Sequence, residues 1–148
     1  MTNDQPFRFL LNGITTDQFA ALEPDGFNGE SEGVAWKLNY HAILGECILT
    51  VSPLLTFKFG EQATLVLEIT CSFQILAEDW PRLFSEEKQQ VTIPLSLARH
   101  LSVIAVGVAR GVLHAKVEDH PRHRLFMLPI VDLTQAITEE VVFDIGPK

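Results

Sequence analysis

The 148-residue chain is 47% hydrophobic and 20% charged with a formal net charge of -8, which predicts one globular domain over residues 1–148 whose core needs no disulfide staples. The acidic balance argues against unaided binding to nucleic acid or an anionic membrane and favours neutral or basic partners. Cys47 and Cys71 fall in sequence that reads as sheet and lack CxxC spacing, so they are expected as buried free thiols in a reducing compartment.

The opening MTNDQPFRF places an acidic residue where a secretory leader needs a cationic run followed by an apolar one, so a cytoplasmic location is expected. FRFLLNGI, residues 7–14, is the first predicted strand, and EPDGFNGESEGV after it reads as a loop. From Val34 the pattern alternates: Val34, Trp36, Leu38, Tyr40 and Ala42 take one side, with Lys37, Asn39 and His41 on the other, as in a half-buried strand. ILTVSPLLTFKF, residues 48–59, is the third strand, with Pro53 predicting a bulge or an edge position.

Gly60-Glu61 has the composition of a two-residue type II′ hairpin turn. Beyond it Ala63, Leu65, Leu67, Ile69, Cys71, Phe73 and Ile75 occupy every odd position, and the even ones are mostly polar. That is the signature of an antiparallel strand with one buried face. RLFSEEKQQ is expected as a short helix or a solvated loop. A long helix follows, with Thr92 as predicted N-cap, Pro94 in the first turn and an end near His114. The last part, with Pro129, has a helical flavour. Strands followed by a long helix give an α+β fold: a four-stranded antiparallel sheet with the helix packed on one side.

The apolar run from Leu95 to Leu113 approaches membrane length, but Arg99, His100 and Arg110 interrupt it, which argues against membrane insertion. On a helix, Leu97, Leu101, Ile104, Val108 and Val112 form one stripe, and Ala98, Ala105, Val106, Ala109 and Leu113 fill much of the remainder. A sheet covers one face only. The second face calls either for the same helix of another subunit, with small residues such as Ala105, Gly107, Ala109 and Gly111 allowing close approach, or for wrapping by the segment after Glu118. The first arrangement predicts a homo-oligomer interface of Leu97, Leu101, Ile104, Ala105, Val108 and Val112.

Chemistry is sparse. In EDHPRHR, Glu118, Asp119, His120 and His123 come from one short loop, whereas divalent sites usually recruit ligands from several elements; a solvated loop is expected, and no metal. His41, His100 and His114 read as surface or helix-edge residues. No GxSxG elbow, Gly-rich phosphate loop or basic stripe is present, so neither an enzyme nor a cofactor is expected.

In chain order, FRFLLNGI, LEITCSFQI, IPLSLARH, Arg110-Gly111 and LPIVDLTQAI resemble successive motifs of the SecB export-chaperone family, spanning about residues 7–137. The resemblance implies an ATP-independent holdase for unfolded or precursor polypeptides, assembled as a dimer or a dimer of dimers (a tetramer), with an export ATPase as a further partner in protein transport. The chain departs from the family in having His100 after Ala-Arg where an acid is usual, about ten added residues around HAKVEDHPRH, Val66 where a motor-contacting carboxylate is usual, and no long acidic C-terminal tail. The aromatic residues Phe27, Trp36, Tyr40, Phe57, Trp80 and Phe84 are the predicted client-binding set, with loop-borne Phe27, Trp80 and Phe84 the better groove candidates. Two other functions satisfy the same patterns. One is a SecB-like module dedicated to a single partner such as an antitoxin. The other is a hot-dog-like thioesterase, whose strands should mostly follow its helix, whereas here they precede it.

Overall fold

The computed structural model describes residues 5–145. Strands β1 (Phe9–Ala21), β2 (Gly33–Ile43), β3 (Ile48–Phe59) and β4 (Gln62–Ile75) form an antiparallel sheet in the order β1-β4-β3-β2. A small sheet, order β5-β6-β7, joins β5 (Phe84–Ser85), β6 (Gln90–Ile93) and β7 (Val141–Asp144). Helix α1 (Leu95–Val117) packs on the large sheet against β3 and β4, and α2 (Leu133–Ala136) is a single turn beside it.

The odd positions of β4 from Leu65 to Ile75 are fully buried or nearly so, and the even ones from Val66 onward are half-buried. Each Leu, Ile or Phe there contributes roughly 1.5–3 kcal/mol by leaving water. The β3–β4 turn behaves as its composition demands: Gly60 has φ +64 while Glu61 is not in the left-handed region, the type II′ combination.

Pro53 departs from expectation, since β3 is an interior strand and carries no bulge there. The ladder to β2 runs unbroken through Leu38↔Pro53, while pairing to β4 lapses at Ser52 and Pro53. The missing N–H thus falls on the β4 side, where Ser52 Oγ and Thr70 Oγ1 bridge the strands at 2.8 Å. The register shift in β3 lies farther on, between Phe57 and Lys58.

Four other boundaries move. β1 continues past Ile14 to Ala21 through two irregularities, at Leu11/Gly13 and Thr16/Gln18. RLFSEEKQQ is neither helix nor plain loop but a tight β5–β6 hairpin. Thr92 belongs to β6, so α1 starts at Leu95 after Pro94, with no side-chain cap, and runs to Val117 rather than His114. Cys47 sits at the left-handed exit of a 3₁₀ turn before β3, not in a strand, whereas Cys71 is buried in β4.

The buried face of α1 is Leu97, Ala98, Leu101, Ser102, Ala105, Val106, Ala109, Leu113 and Val117. Leu97, Leu101 and Ala105 are therefore covered by their own chain and are not available to a second subunit. Of the predicted interface, Ile104, Val108 and Val112 remain half-buried.

A groove beside the edge strand

β2 is an edge: among the described residues it pairs only with β3. Its alternation turns Val34, Trp36, Leu38 and Tyr40 toward α1, and all four are half-buried because no further strand covers them. Opposite them runs the returning segment, residues 125–141. Two arginines of α1, three turns apart, hold that segment by its backbone. Arg110 Nη2 donates to Pro129 O at 3.2 Å, and Arg99 donates through Nε to Ile137 O and through Nη2 to Thr134 O, both at 2.8 Å. Leu128 and Leu133 bury as anchors, and the Asp132 carboxylate caps α2 by accepting from the Thr134 amide at 3.0 Å. The Thr134 hydroxyl, which also donates to that carboxylate, and then the amide bond hold Asp132 below the usual carboxylate range.

Between strand and segment lie three linked cavities of about 510, 400 and 340 Å³. Val34 and Pro129 line the first two, and Trp36 and Ala136 line the second and third. From Val34 to Tyr40 the floor extends about 20 Å at the rise of a strand. Its walls are mainly apolar (Met127, Pro129, Ile130, Val131, Ala136, Ile137, Val141) with Ser31, Gln135 and Thr138 among them, and the charged residues of its lining are Glu30, Asp132 and Glu139, all acidic. Leu125, Met127 and Ile130 are 86%, 70% and 96% exposed, so apolar surface continues past the mouth.

The predicted client-binding residues divide in a way opposite to expectation. Strand-borne Trp36 and Tyr40 line the groove, and Phe57 closes the bottom of its first cavity, stacked on Phe126 at 5.1 Å. Loop-borne Phe27 is buried, edge-on to Phe59 at 5.6 Å and beside His123 at 5.1 Å. Trp80 is buried in a 3₁₀ turn and Phe84 is half-buried in β5; neither lines the groove. Loop aromatics in a chain of this size have a core to join, and these join it. Val34, Leu38 and the wall from Met127 to Val141 lie outside the predicted binding set, although the parity of the first two places them beside Trp36.

The EDHPRHR loop is a packing element. His123 is buried, with Nε2 2.9 Å from Thr64 O and 3.0 Å from Leu22 O; two carbonyls accept, so Nε2 carries the proton. Arg122 pairs with Glu23 at 3.0 Å and donates to Phe27 O, and Glu118 lies 3.6 Å from His114. Among the described residues no three of His, Cys, Asp and Glu gather as a metal site. A separate hollow of about 620 Å³ lies between the N-terminal segment and the start of α1, but Arg82 in its wall is engaged by Asp79, by Gln5 O and by the Phe7 ring.

No family model matches the chain, and no curated protein matches it. A crystal structure of a protein of unknown function from Streptococcus agalactiae aligns over 85% of this chain and 100% of its own, at 10% identity and a TM-score of 0.44. The class defined by the coordinates themselves is α+β, a four-stranded antiparallel sheet carrying one long helix.

Proposed function

We propose that this chain is an ATP-independent holdase of SecB-like fold that binds extended apolar segments of non-native polypeptides in the β2 groove. The observation that supports this best is the row of largely apolar cavities laid along a strand edge that is unpaired among the described residues. Such a site recognises a chain in two non-specific ways: side chains enter apolar cavities, and backbone groups pair with the free edge. Three seated side chains gain roughly 5–9 kcal/mol, offset by about 1–2 kcal/mol for each residue ordered. Binding at one groove is therefore weak and reversible, which is what temporary holding requires. The acidic rim of Glu30, Asp132 and Glu139 favours clients with basic residues next to their apolar ones.

The placement of the strands before the helix supports a SecB-like over a hot-dog-like reading. A cytoplasmic location and service to an export ATPase belong to the same proposal and rest on the resemblance. Light scattering of a misfolding client tests it: stoichiometric protein is expected to suppress aggregation, and Trp36→Asp with Leu38→Asp to abolish most of that suppression. No suppression by the parent protein overturns the proposal. Pull-down of one dominant partner from lysate, in place of many, would instead favour a dedicated module.

A further inference from the structure

Met127 stands where two hollows meet. It lines the first cavity of the groove, of about 510 Å³, and also a notch of about 240 Å³ on the α1 side of the returning segment, where its neighbours are Arg110, Gly111, Leu113, His114 and Phe126. The chain has two methionines, and the other is Met1. Phe126 and Leu128 are buried, whereas Met127 between them is 70% exposed, so the backbone is anchored on both sides while the thioether meets solvent. A flexible, polarizable side chain suits a wall that receives varied apolar groups. The same sulfur is open to oxidants.

Hydrogen peroxide converts a thioether to a sulfoxide by a two-electron oxidation of sulfur. A sulfur lone pair attacks one peroxide oxygen, the S–O bond forms as the O–O bond breaks, and the displaced hydroxide takes the proton left on that oxygen and departs as water. The product is polar where the parent group was apolar, and its oxygen calls for a donor. The polar side chains lining the first cavity offer none: Glu30 is a carboxylate, and the Ser31 hydroxyl donates to Gly33 O at 2.9 Å. The notch offers Arg110. A guanidinium has five N–H donors, and Arg110 uses two of them, on Leu128 O at 3.5 Å and Pro129 O at 3.2 Å.

We propose that Met127 is a reversible oxidation site that turns the groove down: its sulfoxide leaves the first cavity and accepts from Arg110 on the helix side, so that the cavity loses an apolar wall. Because the buried neighbours keep the backbone in place, the fold survives the change. Methionine sulfoxide reductases, one for each sulfoxide epimer, restore the thioether. The effect on clients rests on the holdase reading, whereas the bond to Arg110 does not.

The test treats the full chain with hydrogen peroxide, removes the oxidant and follows Met127 by peptide mass spectrometry. Oxidation is expected to shift the Arg110 Nε–H resonance, assigned by its loss in Arg110→Lys, while the circular dichroism is retained. Binding of a fluorescein-labelled peptide of alternating leucine and lysine is expected to weaken at least about tenfold, the equivalent of roughly two buried methylenes, and to return when both reductases act. Met127→Leu, compared with its own untreated form, is expected to show neither response. An Arg110 resonance that stays in place overturns the proposal, as does undiminished peptide binding by the oxidised parent, or a loss in Met127→Leu equal to the parent's, which would put the damage at a cysteine. If the untreated parent binds no peptide, the holdase reading fails, and the Arg110 resonance still reports on the modification.

Discussion

Tyr40 and Ser102 share a hydrogen bond, Oη to Oγ at 2.7 Å, that ties the edge strand to the buried face of α1. Ser102 is fully buried, so the bond fixes the floor of the groove against the helix and satisfies a hydroxyl that no water reaches. Tyr40→Phe is expected to cost about 1–3 kcal/mol in urea unfolding, because it strands that hydroxyl. Adding Ser102→Ala should recover most of the loss. Equal cost for the single and the double variant would contradict this reading of the bond.

Alkali should weaken the fold through groups that burial keeps neutral. Burial pushes the Cys71 thiol up to about 11, and it raises the Tyr40 phenol despite the opposing bond to Ser102. A raised folded value means stability that is whole below the unfolded value, near 8.5 for a thiol, and is lost as pH climbs through the folded one. Cys71→Ala is expected to flatten the decline between about pH 8.5 and about 11 in thermal melts. An unchanged slope would assign the decline elsewhere.

Acid acts in the opposite direction at Asp79. Its carboxylate accepts from the Arg8 backbone amide at 2.9 Å and side chain at 3.3 Å, with Arg82 at 3.6 Å. The Arg8 side-chain bond chiefly holds it below the usual carboxylate range. The contribution is complete above the unfolded value, about pH 3.9, and disappears as pH falls through the lower, folded one. Asp79→Asn should lower stability at pH 7 and leave a shallower loss below pH 4; a parallel acid curve would refute the role.

The helix shows what the sequence conceals. Apolar periodicity marks α1 as a rod with apolar residues on most sides, but it does not say which side meets the sheet. Leu97 and Leu101 look like members of the same stripe as Ile104 and Val108, yet the first pair is buried in the core and the second only half-buried. Leu101→Ala is therefore expected to cost about 2–5 kcal/mol, and Val103→Ala, at an exposed position, less than about 0.5 kcal/mol. Similar costs would mean that the helix is rotated from the orientation described.

Strands β2 and β4 were legible because one face of each meets the core and the other does not, so period two is written without interruption. β1 was legible only to Ile14. Its core-facing set is Phe9, Leu11, Ile14, Thr16, Phe19 and Ala21, and two register shifts break the alternation that a reader looks for. The groove was half legible. Trp36 and Tyr40 lie on a readable strand, but the opposing wall has no period of its own, since the backbone there is held by Arg99 and Arg110 rather than by a ladder.

The two tryptophans offer an internal comparison, one in the groove and one in the core. Apolar peptide is expected to blue-shift the emission of the parent and of Trp80→Phe, but not that of Trp36→Phe. A response that follows Trp80 would move the binding site out of the groove.

Hydrogen exchange of the intact protein, with and without an unfolded client, locates the surface on which the client is held. Exchange is expected to slow along β2 and residues 125–137, with the free edge of β1 unchanged. Protection confined to β1 or to the exposed side of α1, or none at client concentrations that suppress aggregation, would contradict binding in the groove.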